Sequence, residues 1–565
     1  MRGETMGIMR ISTLASVAVG AALVAGTAAA QFVPGFSVER VSVAIDGQPN
    51  NRSELPAVNY DGSVIGFKSL ASNLVVDDTN GMIDVFTYDV RSGETERIPN
   101  RAQVEGEANG ESYPPALDSE GRIVAFGSAA RNLVRGDFNL FPDVFSYDRL
   151  TNTTENLTVL ADENDEGRLG GGVPDLPPSV SGDGNLVAFV SNSPYFTSID
   201  RNEQYDVFVI DRGTDAVQLV SVTSLSGTGE RSGNGPSLGA VISRDGRFVV
   251  FCSDASNLTV GGAPGLAGIF RRNIEAGETI QIASLARGTC AQREITPSVS
   301  SDGEIIAFTS DQILDDGDDN GTWDVFVWNA GSLSRVSRAY DGGAANGPSS
   351  FASISGDGRF VAYQTTASNI VEDDTNNVAD VIGYDAWTGI SRRISVKQNG
   401  EQADRESSAP AISADGIIVA FQSRAALTDD DTNNVLDIYA ATNSLSFTPT
   451  PTETPTETAT ATDTPEPPAT PTRPANTPSV LPGTATPTRS VDTPTQGPVV
   501  TATPTDGGPT RTATRAASPT ATTNSGGGGG GGCGCRIDQT ANEAAGSWLL
   551  AMAPLGWLLL RRRAL

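Results

Sequence analysis

A short apolar run recurs along this chain, and each copy is preceded by the same polar pair. The copies are "VIGF" (64–67), "IVAF" (123–126), "LVAF" (186–189), "FVVF" (248–251), "IIAF" (305–308), "FVAY" (360–363) and "IVAF" (418–421). Six follow an Asp-Gly pair, at Asp61-Gly62, Asp183-Gly184, Asp245-Gly246, Asp302-Gly303, Asp357-Gly358 and Asp415-Gly416. The seventh follows Glu120-Gly121. Asp-Gly between two strand-like stretches predicts a hairpin turn, because glycine accepts positive φ without a steric cost. Successive turns lie 55 to 63 residues apart, so the pattern predicts one structural unit repeated seven times.

A second pattern follows each run: "DVFTYD" (84–89), "DVFSYD" (143–148), "DVFVID" (206–211), "DVFVWN" (324–329), "DVIGYD" (380–385) and "DIYAAT" (437–442). Polar and apolar residues alternate, which predicts half-buried strands. A further strand is expected at "TERI" (95–98), "VQLVSV" (217–222), "LSRVSR" (333–338) and "SRRISV" (391–396). Four short antiparallel strands per unit and no helical period predict an all-β, seven-bladed β-propeller. The chain ends indicate how the ring closes. "VERVSVAIDG" (38–47) reads as a fourth strand with no first three before it, and the last unit lacks a fourth strand. The opening strand is therefore expected to complete the last blade, which removes the open sheet edge.

Between the second and third strands the repeat concentrates acids and amides, as in "DDTNNVAD" (373–380). Aligned on the third strand, this becomes D-x-N-x-x-x-D. The copies are Asp78/Asn80/Asp84, Asp137/Asn139/Asp143, Asp200/Asn202/Asp206, Asp318/Asn320/Asp324, Asp374/Asn376/Asp380 and Asp431/Asn433/Asp437. The fourth unit breaks it, with Gly262, Pro264 and Gly268 at these positions. Two readings stand side by side. Hard oxygen donors at this spacing fit calcium, the one candidate cofactor, although that ion wants six to eight oxygens. Alternatively the Asn caps its own backbone in an Asx turn, and the last Asp satisfies amides at the strand start. Either way, one face of the ring should carry a broken acidic circle.

With these units in view, "PAISADGIIVAF" and "PSVSSDGEIIAFTS", each followed by "DIYA" or "DVFVWN", resemble the WD40-like repeats of the TolB-type propeller family. The resemblance covers about 410 residues. It implies a propeller and little about activity, since one fold serves many functions. The α/β domain that accompanies the TolB propeller has no counterpart in the sequence, nor does the hydrolase domain of prolyl-oligopeptidase propellers.

Composition narrows the chemistry. The chain has 565 residues, no histidine and a formal net charge of −30. Nucleic acid is therefore not an expected partner. Histidine-assisted nucleophiles and the commonest zinc ligand are excluded. An enzyme on this face would have to be carboxylate-dependent and glycan-active, a hydrolase or a lyase. However, the acids follow the repeat rather than one unique constellation, and the S-x-D-x-G-x-T-W box of sialidase propellers is missing. Any catalytic group would then lie in an insertion such as "ADENDEGRLGGGVPDLPP" (161–178). Cys252 and Cys290 are far apart in sequence, and spacing leaves open whether they are bridged.

The two ends read as addresses. Residues 1–30 resemble a secretory signal, with Ala28 and Ala30 placed for cleavage before Gln31. The propeller is expected over 31–447. Residues 448–525 form a Thr/Pro-rich stalk whose composition predicts disorder, and 526–540 hold seven glycines and "CGC". Residues 541–565 carry an apolar helix and Arg561, Arg562 and Arg563. This order resembles bacterial surface-sorting tails of the myxobacterial type, which implies processing near Cys533 or Cys535; a retained membrane anchor is the other reading. The expected protein is a monomer exported to the cell surface or outer membrane. There it binds a protein or glycan, or serves structurally, without catalysis.

Overall fold

The computed structural model describes residues 36–443 apart from 100–105, 138–140, 159–175, 224–230, 261–265, 287–289 and 291–294. The signal, stalk, glycine/cysteine and C-terminal helix segments, with Ala30, Gln31, Cys533 and Cys535, lie outside the described residues. So do Asn139, Gly262 and Pro264. Among the described residues no helix is long and apolar enough to cross a membrane.

Within that range, 28 strands make seven four-stranded antiparallel sheets, the blades of a propeller. Blade one runs from the channel outward as Ser53–Val58, Val64–Ser69, Asp84–Asp89 and Glu94–Ile98. The others repeat this meander, as the seven hairpin turns predict. The seventh blade takes its outer strand from the other end of the chain. Ser37–Arg40 pairs antiparallel with Asp437–Thr442, with Val38 opposite Ala441 and Arg40 opposite Tyr439. The closure predicted from the unmatched terminal strands is therefore the one observed, and it leaves no free sheet edge at the seam.

All seven turn glycines adopt left-handed φ between 66° and 75°. A second constraint acts on them, because each turn also packs on the neighbouring blade. A Cβ on Gly303 would stand 2.3 Å from Phe248 Cδ2, and one on Gly358 would stand 2.3 Å from Ile305 Cδ1. The turns also bond to one another. Backbone amides and carbonyls link Tyr60 to Ser119, Ser119 to Gly182, Gly182 to Arg244, Asp245 to Ser301, Ser301 to Gly356 and Gly356 to Ala414. Asp415 then returns to Tyr60, and the N···O distances run from 2.8 to 3.3 Å. The result is an annulus around one mouth of the channel.

The core lies between blades rather than inside one sheet. Val64, Val85 and Ile98 of blade one pack on Leu117, Val124 and Phe145 of blade two. At the seam, Ile65 and Phe67 of blade one pack on Ile418 and Ile438 of blade seven, with Val41 between them. This arrangement corrects one expectation. The third strands alternate in sequence yet are buried on both faces, as in Asp143–Asp148. Each is sandwiched between neighbouring blades, and its polar residues meet partners there instead of solvent. Phe67–Phe86, Phe126–Phe145, Phe189–Phe208, Phe251–Phe270 and Phe308–Phe326 stack across strands two and three at 5.6 to 5.9 Å between centroids.

Candidate functional site

The acidic motif sits at the corner between the second and third strands, at the opposite end of the second strand from the turn annulus. Three pieces of backbone meet there: the corner loop, the outer strand, and the connection to the next blade. The middle residue of the motif joins two of them. The Asn side-chain oxygen accepts the amide two residues on. Met82 N reaches Asn80 Oδ1 at 2.8 Å, Gln204 N reaches Asn202 Oδ1 at 2.8 Å and Thr322 N reaches Asn320 Oδ1 at 3.0 Å. Val378 N to Asn376 Oδ1 (3.3 Å) and Val435 N to Asn433 Oδ1 (3.0 Å) complete the series. The Asn Nδ2 donates to the connection, to Ala108 O (3.2 Å), Gly233 O (2.7 Å), Ala345 O (3.2 Å), Ala403 O (3.0 Å) or Pro49 O (3.1 Å) in successive corners. The Asx-turn geometry is present, and it also clamps the connecting segment.

Asn80, Asn320 and Asn376 make a further contact within the corner. Their Nδ2 groups also donate to the last Asp of the motif, to Asp84 Oδ2 (2.9 Å), Asp324 Oδ2 (2.8 Å) and Asp380 Oδ2 (3.0 Å). An amide that turns its NH₂ toward the acids, and spends its oxygen on a backbone amide, offers a donor where a cation would need a ligand. These three side chains are turn braces.

The last Asp of the motif does not bond the strand amide directly. It accepts a hydroxyl proton, and that hydroxyl oxygen in turn accepts the strand amide. Ser337 Oγ donates to Asp324 Oδ1 at 2.5 Å and accepts Val325 N at 3.0 Å. Thr158 serves Asp143 (2.6 Å), Ser221 serves Asp206 (2.5 Å), Ser395 serves Asp380 (2.7 Å) and Ser42 serves Asp437 (2.7 Å). These hydroxyls stand where the outer strand leaves the blade.

Two residues before the hydroxyl position, in four of the blades, lies the feature that decides the electrostatics. In blade five Arg335, fully buried, reaches into the corner: Nη1 lies 3.2 Å from Asp318 Oδ1 and 3.5 Å from Asp324 Oδ2, and Nε lies 3.7 Å from Asp315 Oδ2. In blade one Arg97 Nη1 lies 3.3 Å from Asp78, 3.9 Å from Asp84 and 2.6 Å from Glu107. In blade six Arg393 lies 2.9 Å from Asp374 and 3.1 Å from Asp380. In blade seven Arg40 lies 2.6 Å from Asp430 and 3.9 Å from Asp431. These arginines share one register position, opposite Phe326, Phe86, Ile382 and Tyr439. Their sequence signal is a triplet, Arg335-Val336-Ser337, Arg393-Ile394-Ser395 and Arg40-Val41-Ser42, with Arg97-Ile98-Pro99 as its variant. Motif spacing within the acidic loop does not contain it.

The acids are consequently internal. Asp206, Asp324, Asp380 and Asp437 are 0% exposed, and Asp78, Asp137, Asp200, Asp318 and Asp431 are also buried. The expected acidic circle on one face is thus turned inward, because most of these carboxylates are drawn toward their own blade's hydroxyl or guanidinium. Burial pushes Asp84 up to about 6, and Asp437 likewise to about 6. It raises Asp78, Asp318 and Asp380 as well, with the adjacent arginine opposing. Among the described residues no group of three His, Cys, Asp or Glu side chains is placed to hold a metal ion. In blade two Asn156 takes the arginine's position, opposite Phe145, and Asp137 and Asp143 both have partners.

Blade four lacks the acidic motif and is held differently. Gly268 occupies the position of the last Asp, opposite Ser253. Next to it Cys252 forms a disulfide with Cys290, in the segment leading to blade five, with Cα atoms 5.3 Å apart. A covalent link stands where other blades use a carboxylate cluster.

The channel is a second concave site, about 300 Å³ in volume. The inner strands line it with Pro56, Pro115, Pro178, Pro297 and Pro410 and small apolar residues, and none of its described lining residues is titratable. In blades one, four, six and seven a bulge interrupts the inner strand, with positive φ at Leu55, Gly239, Phe351 and Ala409. At the annulus the Arg244 guanidinium lies 4.7 Å over the Tyr60 ring and donates to Ser119 Oγ. The side chain from blade four thereby reaches blades one and two across that mouth.

No family model matches the chain, and no curated protein matches it in sequence. Solved structures do share the fold. TolB from Acinetobacter baumannii is 16% identical, with a TM-score of 0.32 over 61% of this chain, which spans 64% of TolB. The β-propeller domain of the Trilobed protease from Pyrococcus furiosus is 11% identical, with a TM-score of 0.43 over 70% of this chain and 94% of that one. Oligogalacturonate lyase from Vibrio parahaemolyticus is 11% identical, with a TM-score of 0.40 over 72% of this chain and 97% of that one.

Proposed function

We propose that the propeller is a non-catalytic module displayed outside the cell, binding a protein or glycan as a monomer on a Thr/Pro-rich stalk. One observation carries this reading. Most carboxylates of the repeated corner motif are buried within the fold, while the channel lining offers no titratable side chain. General acid–base chemistry needs a positioned carboxyl beside open space for substrate, and the two coincide neither in the buried corners nor in the channel. The export, the stalk and the C-terminal sorting or anchoring helix belong to the same proposal and rest on the sequence pattern of residues 1–30 and 448–565.

Exposed aromatic and apolar side chains supply the means to bind. Trp387 is 72% exposed and stacks under the Arg359 guanidinium at 4.2 Å. Such a ring with a polar neighbour suits a sugar face or a peptide side chain. The test uses the full chain against a panel of polysaccharides, with product release and binding measured in parallel. Binding without new reducing ends or unsaturated products is the expected result. Turnover that one Asp or Glu substitution abolishes would establish the glycan-active enzyme instead.

A further inference from the structure

In blade three, Asp206–Asp211 and Ala216–Leu219 put Leu219 opposite Phe208, the register position held by arginine in blades one, five, six and seven. Leucine brings no charge to the corner. Among the described residues, no arginine or lysine nitrogen forms an ion pair with Asp200 or Asp206, whereas the arginine-bearing corners all contain one. The two carboxylates are nonetheless buried, Asp200 at 4% and Asp206 at 0% exposure.

Their oxygens divide sharply. Asp206 Oδ1 accepts Ser221 Oγ at 2.5 Å, and Asp200 Oδ1 accepts the Asn202 amide at 3.4 Å. Asp200 Oδ2, Asp206 Oδ2 and Thr197 Oγ1 are buried without a hydrogen bond of good geometry, although the Ser232 hydroxyl lies near enough to Asp200, and the Asn202 side-chain amide near enough to Asp206, to favour the charged carboxylates. The turn locates the third of these atoms. Asp200 N bonds Thr197 O at 3.3 Å, as Asp318 N bonds Asp315 O at 3.1 Å in blade five. Thr197 therefore occupies the position of Asp315, whose Oδ2 lies 3.7 Å from the Arg335 guanidinium. All three oxygens belong to the corner where other blades hold a positive nitrogen. An uncompensated pair of buried carboxylates is costly, and the cost is relieved by a cation or by a proton.

We propose that the blade-three corner binds one hard divalent cation, Mg²⁺ or Ca²⁺, through Asp200, Asp206 and Thr197, in place of the missing arginine. The donors are all oxygen, which suits these ions and not a thiolate- or imidazole-seeking metal. Two carboxylates and a hydroxyl leave ligand positions for water, so Mg²⁺ is the closer match. Ca²⁺ would recruit more of the loop's carbonyls. The guanidinium groups of four other corners exclude a second cation there, and in blade two, where Asn156 stands at the arginine position, Asp137 and Asp143 already have partners.

The experiment uses the full chain stripped with EDTA at pH 8, titrated separately with MgCl₂ and CaCl₂ and followed by calorimetry and thermal unfolding. The expected result is one saturable site per chain and an upward shift in Tm. The relative affinities of the two ions then identify the coordination. Asp206→Asn should abolish both signals. Leu219→Arg should abolish cation binding too, while raising Tm in EDTA, because it restores the charge by the route its neighbours use. The second variant keeps the test decisive if the first folds poorly. Absence of a cation response in the wild type overturns the proposal. So does a response unchanged in both variants, or a corner whose stability follows pH alone.

Discussion

At the scale of single residues, the buried guanidinium groups dominate. Arg335 is enclosed with Asp315, Asp318 and Asp324 within 3.7 Å, so removing its charge strands two carboxylates where water cannot solvate them. Arg335→Leu should lower stability by about 3–5 kcal/mol, measured by urea unfolding, because breaking one side of a buried pair leaves the other unpaired. Arg335→Lys should recover only part of that, since one ammonium cannot span three acceptors. Asp206 supplies the matching pH prediction. Burial, with the neighbouring Asp200 charge adding and the Ser221 hydroxyl and Asn202 amide opposing, pushes it up to about 7 from an ordinary value near 3.8. A raised carboxyl pKa means the folded state holds the proton more tightly. The resulting stabilisation is complete below about pH 4 and is lost as pH rises through about 7. At about 1.4 kcal/mol per unit the loss amounts to a few kcal/mol. In chelator, the wild type should therefore melt higher at pH 5 than at pH 8. Asp206→Asn should flatten that difference and melt above the wild type at pH 8.

At the scale of elements, each turn glycine meets two demands together, and that makes its replacement severe. Gly303→Ala would hold alanine at φ 75° and press its Cβ to 2.3 Å from Phe248, so Phe248 must move and the inter-blade contact loosens. A loss of roughly 2–4 kcal/mol is expected from strain plus overpacking, read as a shift in denaturant midpoint. The same residue shows what sequence alone can convey. Asp302-Gly303 announces its turn by local chemistry, and local chemistry also announces the strands, their number and the unmatched terminal strand. The contact to Phe248 is not local, and neither is the corner. Arg40 and Asp430 are partners 390 residues apart in sequence that meet in blade seven, and Arg335 finds Asp318 only through strand register. Asn320 and Asn376 divide the same way. The turn each closes is local and legible, whereas the carbonyls of Ala345 and Ala403 that each clamps come from the next connection. The triplets Arg335-Val336-Ser337 and Arg393-Ile394-Ser395 were visible as strand signals, but nothing in their alternation says which side chain meets which acid. Burial of the third strands was hidden for the same reason, since period two cannot distinguish solvent from a neighbouring blade. Blade four adds its own prediction. Its disulfide closes 38 residues, so replacing both Cys252 and Cys290 with Ala should lower stability by about 3–4 kcal/mol on the chain-entropy model, measured by thermal unfolding.

At the scale of the molecule, the ring is closed twice, at different radii and by different chemistry. The annulus closes it near the axis when Asp415 N reaches Tyr60 O at 3.3 Å. The outer strand closes it at the rim, where Ser37–Arg40 pairs with Asp437–Thr442. That strand brings more than backbone pairing. Ser42 donates to Asp437, and Arg40 faces Asp430 and Asp431. Removing residues 36–43 would thus uncover the edge of Asp437–Thr442 and strip the seventh corner of both its hydroxyl and its cation. A linear stack of repeats unfolds from its ends, whereas a sealed ring has none. The intact chain should therefore lose its propeller in one cooperative urea transition. The truncated chain should show a broadened transition with a lower apparent m-value and early proteolysis within 407–442. Arg40→Leu separates the two contributions, because it keeps the strand while emptying the corner. It should lower the midpoint and leave the single transition intact. If both changes broaden unfolding alike, corner charge rather than strand exchange holds the seam. If neither does, the annulus alone suffices to close the ring.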